Sequence, residues 1–203
     1  MNRSFCKKPP QIWLVITPVL ITLLLSPGSS RAFEKYNRVI KYDKYFSKYS
    51  KRFFGPGFDW HYFKSQAIAE SHLKADAKSR FGAVGIMQIM PSTYQEILHK
   101  IPIIKGTPAQ PRWNIAAGIF YDRTIWNLWL AERPLQDRLN FMFGSYNAGK
   151  GSILKAQKIA GHKGLNENLW ESIEVTLHQV TGNRSKETIG YVRKISKIKE
   201  VLR

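Results

Sequence analysis

Residues 65–91 read SQAIAESHLKADAKSRFGAVGIMQIMP. The stretch opens as the end of a helix. Asp59 is placed to cap it, and Trp60, Phe63, Ala67 and Ile68 lead up to Glu70. Residues 72–85 are polar and small and close on Gly82-Ala83-Val84-Gly85, which reads as a loop. Pro91-Ser92-Thr93 then opens a second helix, with Tyr94, Ile97 and Leu98 on one face. A helix that ends in a carboxyl therefore runs into a glycine-rich loop and a further helix.

The same helical period extends in both directions. Tyr36, Val39, Ile40, Phe46, Tyr49 and Phe53 space out a basic amphipathic helix over 35–53, stopped by Gly55-Pro56-Gly57. Three prolines and a glycine make 101–112 a connecting loop. Asn114 to Leu130 is helical and rich in aromatics. Pro134 suits the first turn of a helix that runs to Tyr146. Ser152 to Ala160, Glu167 to Val180 and Ser185 to Leu202 complete the pattern. No run alternates with a two-residue period. The expectation is one all-α domain of about seven to nine helices.

The 203 residues suit one compact domain, and 43% apolar with 13% aromatic side chains supply a core. The beginning reads as an export signal. Arg3, Lys7 and Lys8 precede the apolar run 12–25, and Ser30-Arg31-Ala32 offers a cleavage point. A bilayer crossing needs about 20 apolar residues, more than this run holds. The expected division is a signal peptide at 1–32, with a retained anchor as the alternative, and a catalytic domain at 33–203. Residues 33–57 form its N-terminal helical extension. The expected location is the periplasm or cell envelope. Cys6, the only cysteine, precedes the apolar run, so the remainder has no disulfide or thiolate metal site. The net charge of +18 falls to +14 without residues 1–32, a surface that attracts polyanions. Export makes nucleic acid the weaker partner, and none is expected.

No His-Glu-x-x-His, phosphate loop or Gly-x-Ser-x-Gly occurs, and His61, His72, His99, His162 and His178 are scattered. No metal and no cofactor are expected. Glu70 is the residue suited to chemistry. A carboxyl at the end of a largely buried helix loses hydration and keeps its proton to higher pH. Such a group can protonate the leaving oxygen of a glycosidic bond.

An ordered set of motifs surrounds it. Glu70-Ser71 is followed by Ala77 and Ser79, then Gly82-Ala83 and Gly85-Ile86-Met87-Gln88-Ile89-Met90-Pro91. Asn114-Ile115-Ala116-Ala117-Gly118 with Tyr121 comes next, then Tyr146-Asn147-Ala148-Gly149, and last Glu187-Thr188 with Tyr191-Val192. From about Asp59 to Ile195 the chain resembles the soluble-type (SLT-domain) lytic transglycosylases, whose fold is lysozyme-like.

The resemblance implies a single catalytic acid, Glu70, with Ser71 holding the local geometry. It implies Ser79 in the loop lining the sugar site, and Met87 and Gln88 at the glycan near the scissile bond. Tyr146 and Asn147 would face the acid, and Tyr191 would close the cleft beside it. The residue types suit these roles: Gln88 can bond an acetamido group, and the tyrosines offer a ring and a polar tip. Met87 also suits plain core packing. Asn114 and Gly118 read as a helix cap and a close-packing position rather than substrate contacts.

The implied reaction cleaves the β-1,4 bond between N-acetylmuramic acid and N-acetylglucosamine and closes a 1,6-anhydro ring. The implied partners are peptidoglycan strands and a secretion, conjugation or wall-assembly complex. Lys74-Ala75, Ile86 and Ser145 depart from the common family pattern without removing a catalytic group. A hydrolytic muramidase, using a second acid such as Asp76, Glu96 or Asp122, is one alternative. A non-catalytic glycan-binding assembly protein and a secreted nucleic-acid binder are the others.

Overall fold

The computed structural model describes residues 32–203. The expected signal, its apolar run and its cleavage point lie outside the described residues, apart from Ala32. Nine α-helices follow one another from Asp43 onward, and the described residues contain two isolated β-bridges and no strand. They are α1 (Asp43–Phe54), α2 (His61–Ser71), α3 (Pro91–Lys100), α4 (Pro111–Trp126), α5 (Leu135–Ala148), α6 (Lys150–His162), α7 (Trp170–Thr176), α8 (His178–Thr181) and α9 (Arg184–Val201). No described helix is long and apolar enough to cross a membrane.

Two helices form the centre, and small residues let them do so. Ile115, Ala116, Ala117, Gly118 and Ile119 of α4 are all buried. A Cβ on Gly118 would lie 2.8 Å from the Met87 side chain, so glycine allows that approach. In α5, Leu139, Phe141, Met142, Phe143 and Gly144 are buried, and a Cβ on Gly144 would collide with the Trp170 ring. Helix α9 packs on α2 and α5, α1 packs on α4, and α6 and α7 cover the far side. The chain order therefore brings the C-terminal ends of α2 and α5 against one face of α9.

The N-terminal region departs from the continuous helix expected over 35–53. A 3-10 turn, Lys35–Arg38, is separated from α1 by Val39 in a non-helical conformation (φ −90°, ψ 82°). Tyr36 and Tyr42 are both buried, and the β-branched pair Val39-Ile40 disfavours helix between them. Asn37 donates to the Val201 carbonyl and accepts from the Arg203 N–H, at 2.9 and 3.0 Å, which fastens this turn to the C-terminus. Within α1, Phe46 and Tyr49 are buried while Lys41, Lys44, Lys48 and Lys51 at its start and along it are exposed. The apolar face thus packs on the core and the lysines face solvent. The buried Lys64 ammonium of α2 meets Asp43 at 2.8 Å and joins α1 to α2.

Other boundaries shift for local reasons. Helix α4 starts three residues before Asn114, because Pro111 supplies the first-turn geometry, and it ends at Trp126 instead of Leu130. The helix expected over 167–180 is two, α7 and α8. Helix α7 begins only at Trp170, whose N–H is held by Asp137 Oδ1 at 2.7 Å. Asp59 stands one residue before the cap position, which Trp60 occupies, and its carboxyl accepts the His61 N–H at 3.0 Å.

Candidate active site

Glu70 occupies the last turn of α2, after the buried residues Phe63 to Ile68. The turn ends abruptly. His72 and Leu73 both have left-handed backbones, with φ of 56° and 63°, an uncommon conformation for side chains of this size. Two contacts hold it: Leu73 is buried, and His72 Nδ1 pairs with the Tyr36 hydroxyl at 2.6 Å. Ser71 Oγ donates to the Ile86 carbonyl at 2.8 Å. This serine is buried, so it ties α2 to the following loop and presents no hydroxyl to solvent.

The Glu70 carboxyl is half-buried and meets α9. Tyr191 donates its hydroxyl hydrogen to Glu70 Oε1 at 2.6 Å. Burial pushes the Glu70 carboxyl up to about 7; the Tyr191 hydrogen bond and the Lys194 ammonium pull it down, and Glu187 pushes it up. Glu70 is thus divided between acid and base near neutral pH. Burial and the Glu70 charge raise Tyr191 well above the ordinary phenol range, so it remains a donor. Lys194 lies three residues further along the same face of α9 and donates to the Ala69 carbonyl at 3.1 Å. Sequence reasoning missed Lys194. Its signal was the three-residue spacing from Tyr191, visible only once Tyr191 is known to face Glu70.

The loop after α2 is held by its own backbone. Val84 and Ile89 exchange hydrogen bonds at 3.0 and 3.1 Å, and Ser79 N–H bonds the Ala83 carbonyl at 2.9 Å. Ser79 Oγ accepts the N–H groups of Phe81 and Ala83 at 3.3 and 3.0 Å and so shapes the turn. Phe81, at the tip, is 71% exposed. Gln88, another left-handed residue (φ 47°), donates its amide to the carbonyls of Ala77 and Gly85. It is half-buried and braces the loop.

Two expectations change here. Asn114 is not a helix cap but the fourth residue of α4, fully buried. Its Oδ1 accepts the Met87 N–H at 2.7 Å, and its Nδ2 donates to the carbonyls of Val84 and Pro108, both at 2.8 Å. Gly85 leaves room for it, since a Cβ there would lie 2.6 Å from Asn114 Nδ2. Met87 does not offer its side chain to a glycan, because that side chain has no exposure and packs on Gly118. Its carbonyl accepts the Tyr146 hydroxyl at 2.7 Å. Gly118 is the close-packing position expected.

From α5, Tyr146 stands with its ring edge-on to Tyr121, centroids 5.3 Å apart. Burial, and then the Glu70 charge, raise its phenol well above the ordinary range, which puts it within the field of the acid. Asn147 is exposed and accepts the Thr188 hydroxyl at 2.8 Å, joining α5 to α9. The tertiary structure thus gathers Glu70, Tyr146, Asn147 and Tyr191 at one helix junction, with the loop of Ser79 and Gln88 beside it. Ser71 and the Met87 side chain lie behind that surface.

Comparison with known proteins gives a consistent result. The family model described as "Transglycosylase SLT domain" matches residues 45–169. The chain is 28% identical over 159 residues to "Membrane-bound lytic murein transglycosylase F" of Shewanella pealeana, covering 77% of this chain and 31% of that one. It is 30% identical over 141 residues to the protein of the same name from Desulfosudis oleivorans, covering 68% and 29%. The chain therefore spans about a third of the length of these curated relatives. Among solved structures, the 70-kDa soluble lytic transglycosylase of Escherichia coli aligns with a TM-score of 0.59 at 22% identity, over 85% of this chain and 29% of that one. An inactive mutant of the lytic transglycosylase Slt of Pseudomonas aeruginosa aligns with a TM-score of 0.62 at 21% identity, over 79% and 23%. Likeness at this identity establishes the helical fold.

Proposed function

Since the chain belongs to the transglycosylase SLT domain family, we propose that it is a peptidoglycan lytic transglycosylase with Glu70 as its single acid and base. The observation that carries this reading is the carboxyl of Glu70, at the end of a buried helix, poised near 7 and hydrogen-bonded by Tyr191. A general acid works best when its proton affinity lies near the working pH.

Protonated Glu70 gives its proton to the oxygen leaving the anomeric carbon of N-acetylmuramic acid. The acetamido group of that sugar stabilises the positive charge that develops, which removes the need for a second carboxylate. Glu70 is then a carboxylate, stabilised by the Tyr191 hydroxyl and the Lys194 charge. It takes the proton from the sugar's own C6 hydroxyl, which attacks the anomeric carbon and closes the 1,6-anhydro ring. A nucleophile within the same sugar has a large effective concentration over water. Ser79, Gln88, Tyr146 and Asn147 bind the strand from the loop and the end of α5. Ser71 and Met87 act by holding that frame.

The hydrolytic alternative requires a second carboxylate positioned to activate water. Two other acids act on Glu70 or are acted on by it. Asp122 is fully buried, and Glu187 is exposed on α9. A fully buried Asp122 has no access to a bulk water, so it does not carry that reading. In our reading residues 1–32 export the protein, 33–203 form its catalytic domain in the cell envelope, and the exposed lysines of α1 face anionic wall material. Service to a secretion, conjugation or wall-assembly complex is part of this reading.

Mass spectrometry of soluble products from purified peptidoglycan tests the reaction, with the wild type beside Glu70→Gln. Release of 1,6-anhydromuramic ends by the wild type alone is the expected result. Reducing ends would mean hydrolysis. No product from folded wild-type protein would favour a glycan-binding or partner-activated protein.

A further inference from the structure

Behind the candidate acid lies a buried polar pair that the reaction does not use. Gln66 of α2 and Asp122 of α4 have no solvent exposure. Gln66 Nε2 donates to Asp122 Oδ1 at 3.2 Å. The other two oxygens of the pair, Gln66 Oε1 and Asp122 Oδ2, are buried and have no hydrogen-bond partner among the described residues. Both are acceptors when Asp122 is ionised, so both would remain unsatisfied. A proton on Asp122 would turn one of these acceptors into a donor for the other.

We propose that Asp122 carries a proton on Oδ2 and donates it to Gln66 Oε1, making a neutral two-bond acid–amide pair that positions the Glu70 end of α2. The groups whose fields reach Asp122 agree with a neutral carboxyl. Glu70 of α2, Tyr121 of α4, Tyr146 of α5 and Tyr191 of α9 are all acidic or neutral, and none supplies a positive charge. Burial, then Glu70, raise the Asp122 carboxyl well above its ordinary value, while the Gln66 N–H opposes them.

The pair bears on Glu70 because Gln66 stands four residues earlier on the same face of α2. It fastens the catalytic helix to α4 and adds no second negative charge to the site. Glu70 then answers to burial, Tyr191, Lys194 and Glu187, as described above. This consequence rests on the reading of Glu70 as the catalytic acid. The protonation of Asp122 does not.

Asp122→Asn provides the test, since an asparagine there keeps both bonds: its amide N–H donates to Gln66 Oε1 and its oxygen accepts from Gln66 Nε2. The unfolded wild-type chain releases the Asp122 proton above about pH 4, whereas the folded chain keeps it. The Asn variant of the full chain should therefore melt higher than wild type at about pH 7, and the advantage should disappear by about pH 3. A lower melting temperature at neutral pH, or no difference at any pH, overturns the proposal.

Should the variant fail to fold, the infrared spectrum of Glu70→Gln at about pH 8 decides, where ordinary carboxyls are ionised. A protonated carboxylic acid band must persist there, and its absence overturns the proposal. The positioning role has its own readout. The alkaline limb of kcat/KM should stay in place in Asp122→Asn, and Asp122→Leu should lose kcat that the Asn variant retains. A limb that moves to lower pH in the Asn variant would mean Asp122 was charged. If the protein has no transglycosylase activity, the infrared result still decides the protonation.

Discussion

Tyr191 donates to Glu70 Oε1 across 2.6 Å, from the middle of α9 to the last turn of α2. This bond stabilises the carboxylate and opposes the effect of burial. Removing it in Tyr191→Phe should raise the Glu70 pKa by about one unit, as expected for a charge-assisted hydrogen bond of about 1.5 kcal/mol. The alkaline limb of kcat/KM should move up accordingly, with kcat reduced. Lys194→Met should move it in the same direction, and Lys194→Arg should restore it. An unmoved limb in both variants would remove these residues from the acid's control.

Glu70→Gln should lower kcat/KM by about 10³-fold or more, the scale of a lost general acid. It should also stabilise the fold. The folded carboxyl holds its proton to about 7, while its ordinary value is 4.5. The Glu70 contribution to wild-type stability should therefore be greatest below about pH 4.5 and be lost as pH rises toward 7, so the wild type should fall further than the Gln variant over that range. The difference above pH 7 should be about 3 kcal/mol. Urea unfolding of both proteins between about pH 4 and 8 measures it.

Asn114→Ala removes three hydrogen bonds and leaves the Met87 N–H and the carbonyls of Val84 and Pro108 without that partner. We expect a loss of about 3 kcal/mol in chemical denaturation. Activity should fall in the fraction that remains folded, because Met87 also bears the Tyr146 hydroxyl. Full activity in a folded variant would show that the loop holds without its bracket.

Phe81 is 71% exposed at the tip of a hydrogen-bonded loop, so its ring contributes little to folding. If it stacks on a sugar, Phe81→Ala should raise KM roughly fivefold, about 1 kcal/mol of aromatic contact, with kcat and melting temperature unchanged. A KM equal to wild type would remove the ring from the glycan path.

The helical class was legible in the sequence because periodicity and punctuation are local. Pro91 starts a helix, and Gly55 stands at the end of α1. Glu70 was legible because its neighbours along the helix are small and apolar, which predicts desolvation of the carboxyl. The motifs around it supplied the family. The β-branched pair Val39-Ile40 was a local hint of the break, but the contact that fastens the turn before it, Tyr36 to His72, lies thirty-six residues away.

The partners of Glu70 were decided only by the fold. Tyr191 and Lys194 meet the end of α2 across more than a hundred residues, because α9 packs against it. The side chain of Asn114 brackets a loop that lies far from it in the chain. Met87 turned inward because Gly118 leaves space for it. Asp122 was a candidate second acid by residue type alone, and only the packing of α4 showed that it is fully buried. Local sequence sets backbone preference and apolar spacing. Burial, and the hydrogen bonds and proton affinities that follow from it, depend on what the remote chain brings alongside, and that is a property of packing.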